Sequence, residues 1–259
     1  MEKKMDKSIL CRKISCLLLL QFFAVCAASA DTAQTPSKRN LYFQITGGTV
    51  LPRELRSKIG HKDDYYAYNN LKPRSSMVYG GNLGYQFYNN LRGEVAVLHL
   101  AKQKFENNIE HYDEIKDSIN VNLDEHLVRQ EFSSTACFVN FTLHSEEFGK
   151  FKPYFTAGVG GSRNEAGDHN MYDENNYTSF KHKIKGKTSW YLAWNLGAGM
   201  GLNIRNRLDV DLGYKYLDLN HAPTSDIAIE ADDGIEFKTD PINPEFTAHA
   251  ILLGIRFYF

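Results

Sequence analysis

The stretch Thr247-Ala248-His249-Ala250-Ile251-Leu252-Leu253-Gly254-Ile255-Arg256-Phe257-Tyr258-Phe259 alternates: counting back from Phe259, every second residue, namely Phe257, Ile255, Leu253 and Ile251, is large and apolar. A period of two marks a strand with one apolar face. Bulky rings at the end of a chain suit a water-soluble domain poorly, because end residues fray and expose them. A closed sheet in lipid removes the difficulty: the apolar face meets hydrocarbon while neighbouring strands satisfy the backbone. The stretch therefore predicts a strand of a transmembrane barrel.

Seven further segments carry the same pattern. Residues 41–51 set Leu41, Phe43 and Ile45 against Tyr42, Gln44 and Thr46, and residues 77–88 set Met77, Tyr79, Leu83, Tyr85 and Phe87 against Gly80, Asn82, Gly84 and Gln86. In 91–101, Leu91, Val95 and Val97 oppose Arg92 and Glu94; in 133–143, Cys137, Val139, Phe141 and Leu143 oppose Asn140 and Thr142. Residues 151–161 place Phe155, Ala157 and Val159 opposite Lys152, Thr156, Gly158 and Gly160. Residues 190–202 alternate Trp190, Leu192, Trp194, Leu196, Ala198, Met200 and Leu202 with a phase rich in glycine, and 208–216 alternate Leu208, Val210, Leu212, Tyr214 and Tyr216 with Asp209, Asp211, Gly213 and Lys215. An antiparallel soluble sandwich also alternates, but its polar face meets water. Here that face is rich in glycine, which suits a crowded lumen.

Spacing gives the topology. The connections at 89–90, 144–150 and 203–207 are short, whereas 52–76, 102–132, 162–189 and 217–246 are long. Short turns alternating with long loops are the arrangement of an outer-membrane barrel, short on the periplasmic side and long outside. In a compact soluble domain four such loops would argue against the strand assignment. The expected fold is all-β: a transmembrane antiparallel up-and-down β-barrel of eight strands, with short periplasmic turns and four long extracellular loops. A hairpin hidden in the second or fourth long loop, such as one around 227–237, leaves ten strands open.

The front of the chain supplies a route to that membrane. Lys3, Lys4, Lys7, Arg12 and Lys13 precede an apolar run over 14–27, and Ala28-Ser29-Ala30 has the small-x-small form of a signal-peptidase site. The expected organisation is a cleaved signal peptide over 1–30 and one barrel domain over 31–259. The apolar run is shorter than the ~20 residues of a spanning helix. Cys11, Cys16 and Cys26 fall in the leader, so Cys137 alone remains and no disulfide or thiolate zinc site is expected. Removing the leader leaves a net charge of about −4, too mild for nucleic-acid binding.

The run Lys152-Pro153-Tyr154-Phe155-Thr156-Ala157-Gly158-Val159-Gly160-Gly161 resembles the fifth strand of the eight-stranded opacity-protein and surface-antigen barrels, relatives of the OmpA and OmpX type. Tyr79-Gly80-Gly81-Asn82-Leu83-Gly84-Tyr85, Leu212-Gly213-Tyr214-Lys215-Tyr216 and the ending on Phe259 are similar to the same family. The resemblance implies a bacterial outer-membrane location. It also implies that Ile255, Phe257 and Phe259 form a C-terminal signal for the barrel-assembly machinery, and that the role is that of a surface antigen or adhesin. Partners would then be outer-membrane lipid and host-cell or matrix proteins.

Arg92, Glu94, Asp209, Asp211, Lys215 and Arg256 fall on the polar phase of their strands, toward the periplasmic half. Eight strands enclose an interior wide enough only for side chains, and a lone buried charge loses several kcal/mol of solvation, ~20 in the idealised limit. These six are read as an ion-pair network that plugs the barrel; the alternative is a narrow porin-like channel that they line. A lipid-modifying enzyme would need a nucleophile, a histidine and an orienting acid at the outer rim. His99 and His249 are the histidines near that rim, and no residue pair stands out, so no enzyme, cofactor or metal is expected. Gly158-Val159-Gly160-Gly161 lies inside a continuing strand pattern, not at a strand-to-helix turn, so it is no phosphate loop. The first long loop is basic and the fourth acidic, an arrangement that either pairs the two or offers both signs to a partner.

Overall fold

The computed structural model describes residues 41–259 apart from 52–54, 61–64, 74, 89, 111–124, 146–150, 174–175, 206, 231–233, 239–240 and 242. The expected leader over 1–30 lies outside the described residues. In chain order the strands are β1 (Leu41–Leu51), β2 (Leu55–Gly60), β3 (Tyr65–Pro73), β4 (Ser76–Tyr88), β5 (Leu91–Glu110), β6 (Glu125–His144) and β7 (Phe151–Ala166). They continue with β8 (His169–Asp173), β9 (Asn176–Ile184), β10 (Lys187–Arg205), β11 (Leu208–His221), β12 (Ile227–Glu230), β13 (Glu236–Lys238) and β14 (Glu245–Tyr258).

Eight of these close into a ring in the order β1-β4-β5-β6-β7-β10-β11-β14, every neighbour antiparallel. The ring shuts where β1 meets β14, with Tyr42 opposite Tyr258 and Leu51 opposite His249. Closure leaves no free edge in this wall, which is the requirement for crossing hydrocarbon with strands. The apolar phase of each strand points outward: Leu192 is 84% exposed, Trp190 72% and Met77 70%. Leu41, Phe43, Ile45, Val95, Val97, Val139, Phe155, Leu253, Ile255 and Phe257 join them on the same wall. Such a band would drive aggregation in water; in a bilayer it is the solvated surface.

Above the band the segments read as long loops are largely sheet. β5 and β6 continue as one long hairpin, pairing out to Glu110 and Glu125. β2 pairs with β3, and β3 reaches β5. On the other side β8 adds to β6, β9 to β8, β12 to β9 and β13 to β12. The hairpin suspected around 227–237 therefore exists as β12 and β13, but it joins this extracellular crown and leaves the ring at eight strands. The fourth loop packs on the third through the β12–β9 pairing and a 2.5 Å ion pair from Lys185 to Glu236. Apart from that hairpin, these strands escaped sequence reading because above the membrane neither face must be apolar, so the alternation that marks the lower wall is not required.

The inward phase departs from expectation too. Its lower half is polar and charged, but its upper half is a packed apolar core of Val50, Val78, Leu98, Leu100, Phe105, Phe132, Phe138, Leu217, Leu219 and Phe246. Phe105, Phe132 and Phe246 form a ring cluster at 5.5 and 6.0 Å between centroids. Among the described residues the buried ionic side chains thus lie in the periplasmic part of the interior. The lower layer uses glycine where rings cross the lumen: a Cβ on Gly84 would run into the Tyr42 ring, and one on Gly213 would stand 2.5 Å from the Tyr154 hydroxyl.

Candidate functional site

Three features of the barrel carry its chemistry: the charged lower lumen, the strap that covers the upper lumen, and the crown. In the lower lumen β14 supplies Arg256, which is buried and met by several elements at once. Its Nε and Nη2 donate to Gln44 Oε1 of β1 at 3.2 and 3.1 Å, its Nη1 to Asp209 Oδ2 at 3.5 Å and to Tyr258 Oη at 3.2 Å, and its Nη2 pairs with Asp211 of β11. Tyr258 Oη also donates to Asp209 at 3.0 Å. Strand alternation sets this up, since Asp209, Asp211 and Arg256 share one face and Asp209 lies directly opposite Arg256.

Glu94 forms a second node without a direct salt bridge. It accepts from Tyr42 Oη at 3.0 Å, from Asn82 Nδ2 at 3.2 Å and from Asn140 Nδ2 at 3.2 Å, and Asn195 Nδ2 donates to Asn140 Oδ1 at 2.8 Å. Arg92 lies over two rings, 5.2 Å from the Tyr154 centroid and 5.8 Å from that of Tyr42. Among the described residues no carboxylate oxygen is in ion-pair contact with Arg92 or Lys215; the ion pairs of the lumen are those of Arg256. The six charges named from sequence are thus brought to one level, but as one ion-paired triad (Arg256, Asp209, Asp211) and one looser set (Arg92, Glu94, Lys215). Sequence reading missed their neutral partners Tyr42, Gln44, Asn82, Asn140, Tyr154 and Tyr258. Most of these lie on phases already recognised as polar, so their spacing was the available clue.

The strap begins where β11 leaves its neighbour. β10 and β11 pair only as far as Trp194 opposite Asp218, after which β11 bends inward. Asn220 takes the left-handed conformation at φ 72°, which asparagine tolerates better than most residues, and its N–H donates to Asp218 Oδ1 at 3.0 Å. From β7, the next strand beyond β10, Ser162 Oγ donates to Leu219 O at 2.9 Å, and Asn164 Nδ2 donates to Leu219 O and His221 O at 2.6 and 2.8 Å. Leu219, Ala222 and Thr224 are buried beneath the mouth.

In the crown, burial pushes His169 down to about 4; its Nδ1 lies 3.0 Å from Gln130 Oε1. Burial works against ionised Asp168, but hydrogen bonds from Lys183, at 2.7 Å, and from the Gly186 N–H, at 2.8 Å, hold its carboxyl below the ordinary carboxylate value. His99 and His249, weighed above as rim histidines, stand on the outer wall with β1 and β4 between their strands. His99 Nδ1 is 2.9 Å from Thr135 Oγ1, and His249 Nδ1 contacts Tyr214 Oη. Among the described residues no group of three His, Cys, Asp or Glu side chains is arranged to hold a metal ion.

A closed eight-stranded ring with an apolar outer wall and a filled interior defines a barrel of the bacterial outer membrane. The chain belongs to the outer membrane protein beta-barrel domain family, whose model matches residues 16–259. An uncharacterized protein of Brucella abortus (strain 2308) is similar to it, 26% identical over 163 residues that cover 61% of this chain and 57% of that protein. The chain thus spans little more than half the length of the curated relatives it matches. Among solved structures, the outer membrane protein OprG from Pseudomonas aeruginosa shares the fold with a TM-score of 0.53 at 15% identity, covering 85% of this chain and 97% of OprG. The outer membrane protease OmpT from Escherichia coli gives a TM-score of 0.52 at 8% identity, covering 87% of this chain and 99% of OmpT. Identities this low speak to fold alone.

Proposed function

We propose that this outer-membrane barrel is a surface-binding protein: a closed pedestal whose extracellular crown engages a host-cell or matrix partner, as a surface antigen or adhesin does. The observation that carries the reading is the coupling of a filled lumen to a built crown. A channel has no use for Phe105, Phe132 and Phe246 stacked across its path, whereas a binding surface gains from β8, β9, β12 and β13 extending the wall as one hydrogen-bonded sheet. Preformed sheet lowers the ordering cost of binding relative to free loops. The six lumen charges act in this reading as a structural plug, and Ile255, Phe257 and Phe259 as the strand recognised by the assembly machinery.

A narrow porin-like channel is the competing reading, favoured only by the charged lower lumen. Planar-bilayer recording of the purified protein separates the two. The pedestal is electrically silent, and cells expressing it bind host cells or matrix until β12 and β13 are deleted. Steady conductance that changes on Arg256→Gln or Glu94→Gln would instead support the channel. A lipid-modifying enzyme would alter the lipid A of expressing cells, and the pedestal leaves it unchanged.

A further inference from the structure

Between the ionic layer and the apolar core lies a small cavity of about 30 Å³, lined among others by Arg92, Glu94, Asn82, Asp211, Lys215 and Leu98. A water needs roughly 10–15 Å³ measured this way, so the space holds about two small occupants. Arg92 is 3% exposed, and its Nε and Nη1 have no hydrogen-bond partner; Asn82 Oδ1 and Asp211 Oδ1 are also unpartnered. Buried donors left in this state are destabilising, charged ones most of all, so native proteins fill such sites.

The charges are unevenly shared. Arg256 is met by two carboxylates, Asp209 and Asp211. Of the two carboxylates that line the cavity, Asp211 pairs with Arg256, and the Glu94 oxygens accept from Tyr42, Asn82 and Asn140. Asp209 is partly open to solvent, so the buried set of Arg92, Lys215, Arg256, Glu94 and Asp211 carries a surplus of one positive charge, and Arg92 and Lys215 are the two of its cations that line the cavity. Water would satisfy the hydrogen bonds of Arg92 but leave that charge uncompensated, and only an anion does both. The space is too small for a sulfate with its shell.

We infer that the lumen holds a structural site for a small monovalent inorganic anion of the chloride class, bound between Arg92 and Lys215, with an accompanying water meeting Asn82 Oδ1 and Asp211 Oδ1. The site lies below the apolar core and is independent of what the crown binds. It makes the anion part of the folded barrel, in the way a buried counter-charge is, and not a species in transit.

The test uses the full purified chain in detergent. Its heat-modifiable migration midpoint is measured in sodium chloride, bromide and gluconate at one ionic strength. Chloride and bromide are expected to raise the midpoint by several degrees over gluconate, saturating with concentration. Arg92→Gln and Lys215→Met should each abolish the difference between salts. Crystals grown in bromide should show an anomalous peak beside Arg92, a readout that holds even if neither variant folds. Equal midpoints in all three salts, the same salt response in the variants, or a cavity containing water without bromide would each overturn the proposal.

Discussion

Along β5 the inward residues run Arg92, Glu94, Ala96, Leu98, Leu100; along β14, read from its periplasmic end, they run Arg256, Gly254, Leu252, Ala250, Ala248, Phe246. β11 repeats the gradient with Asp209, Asp211, Gly213, Lys215, Leu217 and Leu219. One phase of the same strands thus builds two unlike layers. The lower is held by directional contacts that fail if a single partner is removed; the upper is held by packing, which degrades with volume lost. The lower layer fixes which strands meet in register, since Gln44, Asp209, Asp211 and Arg256 interlock only when β1, β14 and β11 align. The upper layer seals the lumen.

The largest effect should come from the lower layer. Arg256→Gln leaves Asp211, itself almost fully buried, without its ion-pair partner. Breaking a buried pair on one side costs about 3–5 kcal/mol, so the midpoint of urea unfolding in detergent should fall by the equivalent amount. Replacing Arg256 by Met together with Asp209 and Asp211 by Asn should recover much of the loss. If the single and combined variants are equally unstable, the triad is not acting as a charge unit.

Truncation in the upper layer comes next. Leu98→Ala removes a buried side chain whose lower surface borders the cavity, and large-to-small changes of this kind cost about 3 kcal/mol, with a spread that reflects relaxation. The loss should be graded, with Leu98→Val between wild type and Ala. A step loss at Leu98→Val would mean that the upper layer, like the lower, depends on one arrangement.

The contrast also explains what was readable from sequence. The lipid face was legible because hydrocarbon imposes one rule on every second residue, and the eight strands, their order and their outward residues follow from it. The charged layer was legible from the same alternation, as the placement of Arg92, Glu94 and Lys215 on one phase illustrates. The apolar core was not, because Leu98, Leu100, Leu217 and Leu219 sit on the phase identified as polar, and a strand apolar on both faces at its upper end shows no alternation to read. Strands β8 and β9 of the crown pair through backbone bonds, a register that side-chain periodicity does not encode. The strap depends on Asn164 meeting carbonyls 55 and 57 residues away, contacts that no local pattern announces.

Between the two layers and the crown, the strap offers a smaller test. Asn164→Ala leaves the Leu219 carbonyl only its bond from Ser162 and removes the side-chain donor to the His221 carbonyl. A loss of about 1–2 kcal/mol is expected, with increased backbone exchange at 219–225 and no change in the lower layer. Asn164→Leu, which keeps much of the shape and removes both the donor and the oxygen that accepts from Ser134 Oγ, should behave as the alanine variant does. If it matches wild type instead, shape and not hydrogen bonding holds the strap.

The smallest effect, and the one that separates crown from barrel, is set by pH. His169 is buried in the crown against Gln130, and burial depresses it from 6.5 to about 4. The folded crown therefore holds the neutral ring, while the opened chain takes up a proton below about 6.5. The stability contributed is complete above 6.5 and is lost progressively as pH falls toward 4, because the unfolded state binds the extra proton. Asp168 beside it is held below the ordinary carboxylate value by Lys183 and the Gly186 N–H, so it stays charged through this window and its ion pair does not account for the change. Limited proteolysis should show β8 and its neighbours becoming cleavable between pH 6.5 and 4, while the membrane-embedded wall stays intact. His169→Gln should flatten that dependence. A profile identical in wild type and variant would assign the acid sensitivity of the crown to its carboxylates instead.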